Sequence, residues 1–349
     1  MSTPLPIAII GGGIFVKEQH VPAVLASSNL SLKLIYSRSL KSAKETSQLL
    51  PASHSQVELY SEDSPGKAFT DVLARSDIAG VIIALPIQKQ PEYIEAALKA
   101  GKHVFSEKPV GPDVESAKKL ISWYRSIAEK NKVTWSVAEQ FRFLPKHVWG
   151  VQNARKLGKV IGFNFRVFGL MDQGNKYFNT EWRKVPTHNY GFILDGGVHH
   201  TAAVRMLLGD DVPDTVIGYS YLAQPFLPPV DTLSAIIKTK SGVVGSFNCS
   251  WGTTMKATEY SVACENGSVT IEGDKAYVLY KDGRKEEKDF PFMESSGVSE
   301  EVHAWGAAIL EGKENPLITP ETTLGDLELL EYMLRSADEN GTTKKLELQ

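Results

Sequence analysis

The chain has 349 residues, of which 42% are hydrophobic and 23% charged, a globular composition with length enough for two domains. Its 38 basic residues stand against 41 acidic ones, a net charge of −3, which excludes the basic excess of a nucleic-acid-binding face. No apolar run approaches the roughly 18 residues of a membrane-spanning helix.

Two cysteines, Cys249 and Cys264, have no metal-ligand spacing to histidines and read as reduced, buried thiols of a cytoplasmic protein. No metal site is expected, and neither nucleic acid nor membrane is an expected partner. The segment MSTPLPIAIIGG has no basic region before its short apolar run, so it reads as a strand and not a signal peptide.

In chain order, Pro6 to Ile10, Leu32 to Tyr36, Gly80 to Leu85, His103 to Phe105 and Val133 to Val137 read as short buried strands. Between them, Ile14 to Ser27, Leu40 to Leu50, Gly66 to Ser76, Pro91 to Ala100 and Val114 to Lys130 carry helical periodicity. Such alternation predicts right-handed βαβ units on a parallel sheet. Beyond about residue 150, strand-like runs follow one another through turns such as Lys240-Ser241-Gly242 and Lys281-Asp282-Gly283, predicting a mostly antiparallel sheet of about seven strands. A helix is expected over His199 to Leu208, and closing helices over Glu300 to Leu310 and Thr323 to Glu339. The fold class is therefore α/β: a doubly wound domain over residues 1–140, then an α+β domain over 141–349 for substrate binding and oligomerisation. The terminal helix is expected to pack back on the first domain.

The first strand runs into Gly11-Gly12-Gly13-Ile14-Phe15-Val16. Gly11 suits the sharp turn, Gly13 lets the backbone approach a pyrophosphate, and a helix from Ile14 offers free N–H groups and its positive dipole end. Val16 replaces the third glycine of the dinucleotide fingerprint, so helix and strand are expected slightly further apart. Where NAD-binding versions carry an acid for the ribose 2′-hydroxyl, the second strand ends in Ser37-Arg38-Ser39, with Lys41 close by. An arginine can pair with a 2′-phosphate bidentately, so NADP(H) is the expected cofactor.

Ser106-Glu107-Lys108-Pro109 stands at another strand's carboxyl end, where such sheets bind ligands. In Gly191-Phe192-Ile193-Leu194-Asp195-Gly196-Gly197-Val198-His199, a helix would set Asp195 and His199 one turn apart on one face, a carboxylate orienting a proton-transferring imidazole. The bland alternative is a helix cap at Asp195 and a satisfied core histidine at His199.

Glycine turn, Glu-Lys-Pro and Asp-x-Gly-x-His, in that order, resemble the glucose–fructose oxidoreductase and inositol dehydrogenase family. His20-Val21-Pro22, Arg142-Phe143-Leu144-Pro145, Leu157-Gly158-Lys159-Val160, Trp182-Arg183, Leu207-Leu208-Gly209 and Thr319-Pro320-Glu321 extend the likeness over nearly the whole chain. The resemblance implies that Lys108, Asp195 and His199 are catalytic, and that Trp182 and Arg183 lie near the cofactor. The expected cofactor contacts are then Gly11, Gly13, Ile14, Phe15, Ser37, Arg38, Leu85, Pro86, Glu107, Lys108, Trp182 and Arg183. The chain departs from the family's patterns at Gln90, where His is common, at Ala202, where Asp is, and at Asn189-Tyr190-Gly191, where three glycines are usual. The implied activity is NADP(H)-dependent hydride transfer at a carbinol or carbonyl carbon of a sugar, polyol or related small carbonyl compound. The alternatives are a non-catalytic NADP-sensing regulator of the same fold, or an enzyme that uses transient oxidation for elimination or epimerisation. A homodimer or homotetramer through the second sheet is expected, because few helices remain to cover it.

Overall fold

The computed structural model describes residues 3–291 and 295–349. The chain forms two compact units, residues 1–139 with 298–323, and residues 140–297 with 324–349. It therefore returns to the first unit after completing most of the second, rather than dividing once near residue 140. The helix Val298–Leu310 accounts for this return. It packs on the helix Val21–Ala26 of the first unit. Its fully buried Trp305 lies 5.3 Å from the Phe105 ring, and a Cβ on Gly80 would come within 3.3 Å of the same indole.

The first unit holds six strands: β1 (Leu5–Ile10), β2 (Leu30–Ser37), β3 (Glu58–Ser61), β4 (Gly80–Ile83), β5 (His103–Ser106) and β6 (Trp135–Val137). Their order is β3-β2-β1-β4-β5-β6, and every pair is parallel. The central strands are continuous apolar runs because helices cover both faces: Ile7, Ile9, Ile10, Val81, Ile82 and Ile83 are fully enclosed. The strand order reverses between β1 and β4. At such a switch point the strand ends leave a crevice for a ligand. The helix after β1 spans residues 14–26 and includes a π-helical segment, Val16–His20, in which the Val21 N–H reaches the Val16 carbonyl. That segment opens at Val16, the position of the missing fingerprint glycine.

The second unit holds β7 (Val160–Leu170), β8 (Pro213–Tyr221), β9 (Thr232–Thr239), β10 (Val244–Ser250), β11 (Gly252–Cys264), β12 (Gly267–Glu272), β13 (Lys275–Tyr280), β14 (Lys285–Asp289) and β15 (Lys344–Lys345). They make one sheet in the order β14-β13-β12-β11-β7-β10-β9-β8-β15. Its pairs are antiparallel except β7 with β10. The sheet has nine strands rather than about seven, because β14 and β15 carry no apolar pattern that marks them in the sequence. One face buries Phe163, Phe165, Ile237, Phe247, Tyr260, Val262 and Ile271 beneath the helices Pro145–Lys156 and Gly191–Leu208. The other face stays open, with Ile236, Tyr219 and Tyr221 exposed and Arg166 paired with Glu259 across β7 and β11. Cys249 and Cys264 are free and buried in this sheet; burial raises the Cys249 thiol above its usual range. A buried ion cluster ties the final helix to this unit: Asp326 accepts 2.6 Å bonds from both Arg142 and Arg205. No helix among the described residues is long and apolar enough to cross a membrane.

Candidate functional site

Three glycines set the turn after β1, each under a different constraint. Gly11 has φ +135°, and a Cβ there would fall 2.4 Å from the Ala84 carbonyl oxygen; only glycine fits. At Gly12 a Cβ would meet the Ser42 hydroxyl at 2.3 Å. At Gly13 it would meet no protein atom within 4 Å. The fold therefore leaves open space beside the backbone where the fingerprint expects a pyrophosphate, directly ahead of a helix N-terminus. These residues fit a dinucleotide. Leu85 and Pro86, which follow β4 and the Ala84 that meets this turn, are half-buried.

At the end of β2, Ser37 is buried and Arg38 exposed. The Arg38 guanidinium makes no hydrogen bond or ion pair with the described residues. Ser39 caps the helix Leu40–Ser47 by accepting from the Ser42 N–H at 3.3 Å, and the Ser42 hydroxyl donates to the Gly12 carbonyl at 3.2 Å. The loop after β2 and the glycine turn are thus joined. The sequence shows no acid here, yet the fold brings one: Asp63, just past β3, accepts from the Leu40 N–H at 2.8 Å. The pairing of Ser37 with Ser61 carries it there.

Past β5, Glu107 accepts a place beside the fully buried His20, whose Nε2 lies 2.7 Å from its carboxylate. Glu107 is therefore held against the helix 14–26, and Lys108 follows it half-buried. Behind them stands Glu301 on the helix Val298–Leu310, only 1% exposed. No side chain among the described residues hydrogen-bonds its carboxyl oxygens, and the backbone of Glu139 is the one contact that favours its charged form. Burial first, then the charges of Glu107 and Glu139, push its carboxyl well above the usual range.

In the second unit the helix begins at Gly191, eight residues earlier than the sequence pattern suggested. Tyr190, at φ 64°, and Gly191, at φ +52°, both take the left-handed backbone, which explains why glycines suit this stretch. Tyr190 adopts it with its hydroxyl bonded to Asp338 at 2.6 Å. Asp195 lies inside the helix, so it is not the cap, and it is four residues before His199 on one helical face. The Arg183 Nε donates to Asp195 Oδ2 at 2.7 Å, and the guanidinium stacks 4.1 Å over the Trp182 ring. Trp182 thus backs the arginine that holds Asp195, and no local motif announced the pairing of Arg183 with Asp195. Phe141 stacks on the His199 ring at 4.8 Å and 19°, fixing the plane of a half-buried imidazole. Gln90 is buried, and its side-chain amide meets no partner among the described residues.

Residues 5–139 match the model of an oxidoreductase family with an NAD-binding Rossmann fold, and residues 153–346 match that family's C-terminal alpha/beta domain. The dehydrogenase FPY6 of Fusarium mangiferae is 36% identical over 352 residues, 98% of this chain and 99% of the relative. The structure of an oxidoreductase from Thermotoga maritima matches with a TM-score of 0.84 at 29% identity, covering 98% of both chains. A variant of the 3-ketoreductase KijD10 from Actinomadura kijaniata, in complex with TDP-benzene and NADP, matches with a TM-score of 0.75 at 20% identity, over 95% of this chain and 98% of that one. At that identity the likeness concerns the fold.

Proposed function

This chain belongs to the glucose–fructose oxidoreductase and inositol dehydrogenase family of nicotinamide-dependent oxidoreductases, and we propose that it is an NADP(H)-dependent dehydrogenase or reductase acting on a sugar, polyol or small carbonyl compound. The observation that carries the reading is the open backbone at Gly13, ahead of a helix N-terminus, on the sheet whose fifth strand delivers Lys108. The unpaired Arg38 beside buried Ser37 supports NADP(H) over NAD(H).

The bound nicotinamide would supply or accept the hydride. The Lys108 ammonium would donate a hydrogen bond to the substrate oxygen and favour the developing alkoxide. His199, one turn from Asp195 on the same helix, would exchange the hydroxyl proton, its ring plane set by Phe141. Arg183 would fix the carboxylate of Asp195 in place. The open face of the second sheet, with its exposed tyrosines and Ile236, supports association into a homodimer or homotetramer.

The test is NADPH oxidation, and NADP reduction, with a panel of aldoses, ketoses, polyols and uronic acids. Turnover is expected with a member of the panel. Lys108→Ala should lower it by roughly 100-fold or more while NADPH still binds. Arg38→Asp should weaken NADPH by about tenfold or more and leave NADH nearly unchanged. Binding without turnover across the panel would overturn the enzymatic reading, and an unchanged cofactor preference in Arg38→Asp would overturn the NADP(H) reading.

A further inference from the structure

Two opposed charges, one from each of two loops, stand at the end of β2. Arg38 is exposed and pairs with none of the described residues. Two residues on, the Leu40 N–H is occupied by the Asp63 carboxylate at 2.8 Å. This N–H is one of the free donors that open the helix Leu40–Ser47 and that an anion would otherwise use. The neighbouring acid, Glu62, is engaged elsewhere: it accepts from the Tyr36 hydroxyl at 2.5 Å and the Phe69 N–H at 3.1 Å. Asp63 is thus the acid turned to this loop.

We propose that Asp63 is a specificity-determining residue, a negative charge placed against the 2′-phosphate that narrows the enzyme's preference for NADP(H) over NAD(H). The inference rests on the dinucleotide reading of the glycine turn and on the place of the ribose beside Ser37 and Arg38. Arg38 attracts a 2′-phosphate and Asp63 repels it, so the net preference is a difference of two nearby electrostatic effects. The Ser61 hydroxyl and the Leu40 N–H hold the Asp63 carboxyl below its usual range, so the charge is present at neutral pH. The uncharged ribose of NAD(H) feels little of it, and the carboxylate remains able to accept from a 2′-hydroxyl.

Asp63→Asn keeps an acceptor for the Leu40 N–H and removes the charge. Fluorescence titration of the full-length variant should show NADPH bound about fivefold tighter at low salt, with NADH changed by less than about twofold. The gain should fade at high ionic strength, where exposed charges are screened. Asp63→Ser, a shorter and uncharged replacement, should move the NADPH-to-NADH ratio the same way. A ratio unchanged or lowered in both variants would overturn the proposal. The readout is a change relative to the wild type. A wild type that prefers NADH, with NADPH still gaining in Asp63→Asn, would remove the NADP(H) reading and leave the role of Asp63 standing.

Discussion

Replacing Glu301 by Gln tests a charge state buried in the first unit. The carboxyl is 1% exposed and has no side-chain hydrogen-bond partner among the described residues. Burial and the charges of Glu107 and Glu139 raise it far above the ordinary glutamate value of 4.5. The folded chain therefore keeps a proton that the unfolded chain releases once the pH passes that ordinary value. Folding is favoured most below it, and stability falls as the pH rises towards the folded value. With one proton taken up on folding, the slope is about 1.4 kcal/mol per pH unit. Glutamine has the shape of the neutral acid and no proton to lose. Above the ordinary glutamate value the wild type should thus lose stability with rising pH more steeply than Glu301→Gln, by up to about 1.4 kcal/mol per pH unit, until the folded value is passed. Urea unfolding at constant ionic strength would measure this, followed by the fluorescence of Trp135 and Trp305, both buried in this unit. Parallel pH dependence in the two proteins would show that Glu301 is ionised in the fold and would refute the reasoning.

The two outer glycines of the turn should respond in opposite ways to alanine. Gly11→Ala puts a Cβ 2.4 Å from a backbone oxygen at φ +135° and should cost about 2 kcal/mol or more in a thermal melt. Gly13→Ala should leave the melt nearly unchanged and weaken NADPH by about tenfold or more; unaltered NADPH binding would remove the pyrophosphate from that position. Arg183→Gln separates two roles for one side chain. If Arg183 serves Asp195, kcat should fall by roughly tenfold with NADPH affinity preserved, whereas loss of NADPH affinity alone would assign it to the cofactor.

The parallel sheet was legible because its central strands are enclosed on both faces and so read as unbroken apolar runs. β3, with the sequence Glu-Leu-Tyr-Ser, was not, since only its last two residues are buried and its neighbour's backbone dictates it. The glycine turn and Lys108 were readable as local spacings. Asp63 was invisible for the opposite reason: it lies 26 residues from Ser37 and reaches that loop through the register Ser37 to Ser61. The helix of Asp195 began earlier than its sequence suggested because Gly196 and Gly197 dilute the pattern. Both are packing glycines: a Cβ at Gly196 would lie 2.9 Å from Trp251, and at Gly197 3.0 Å from Leu330. The pairing of Arg183 with Asp195 and the stacking of Phe141 on His199 depend on tertiary structure and left no motif.

The outer strand β14 reads Lys-Glu-Glu-Lys-Asp, and all five residues are exposed. Lys275 bridges to Glu287 and Asp289, and Lys285 to Glu287, so the charges are already satisfied within the molecule. A strand arriving from another chain would have to strip water from this row before forming a single ladder bond. The charged row thus makes this edge of the nine-stranded sheet a costly place for a further strand to add.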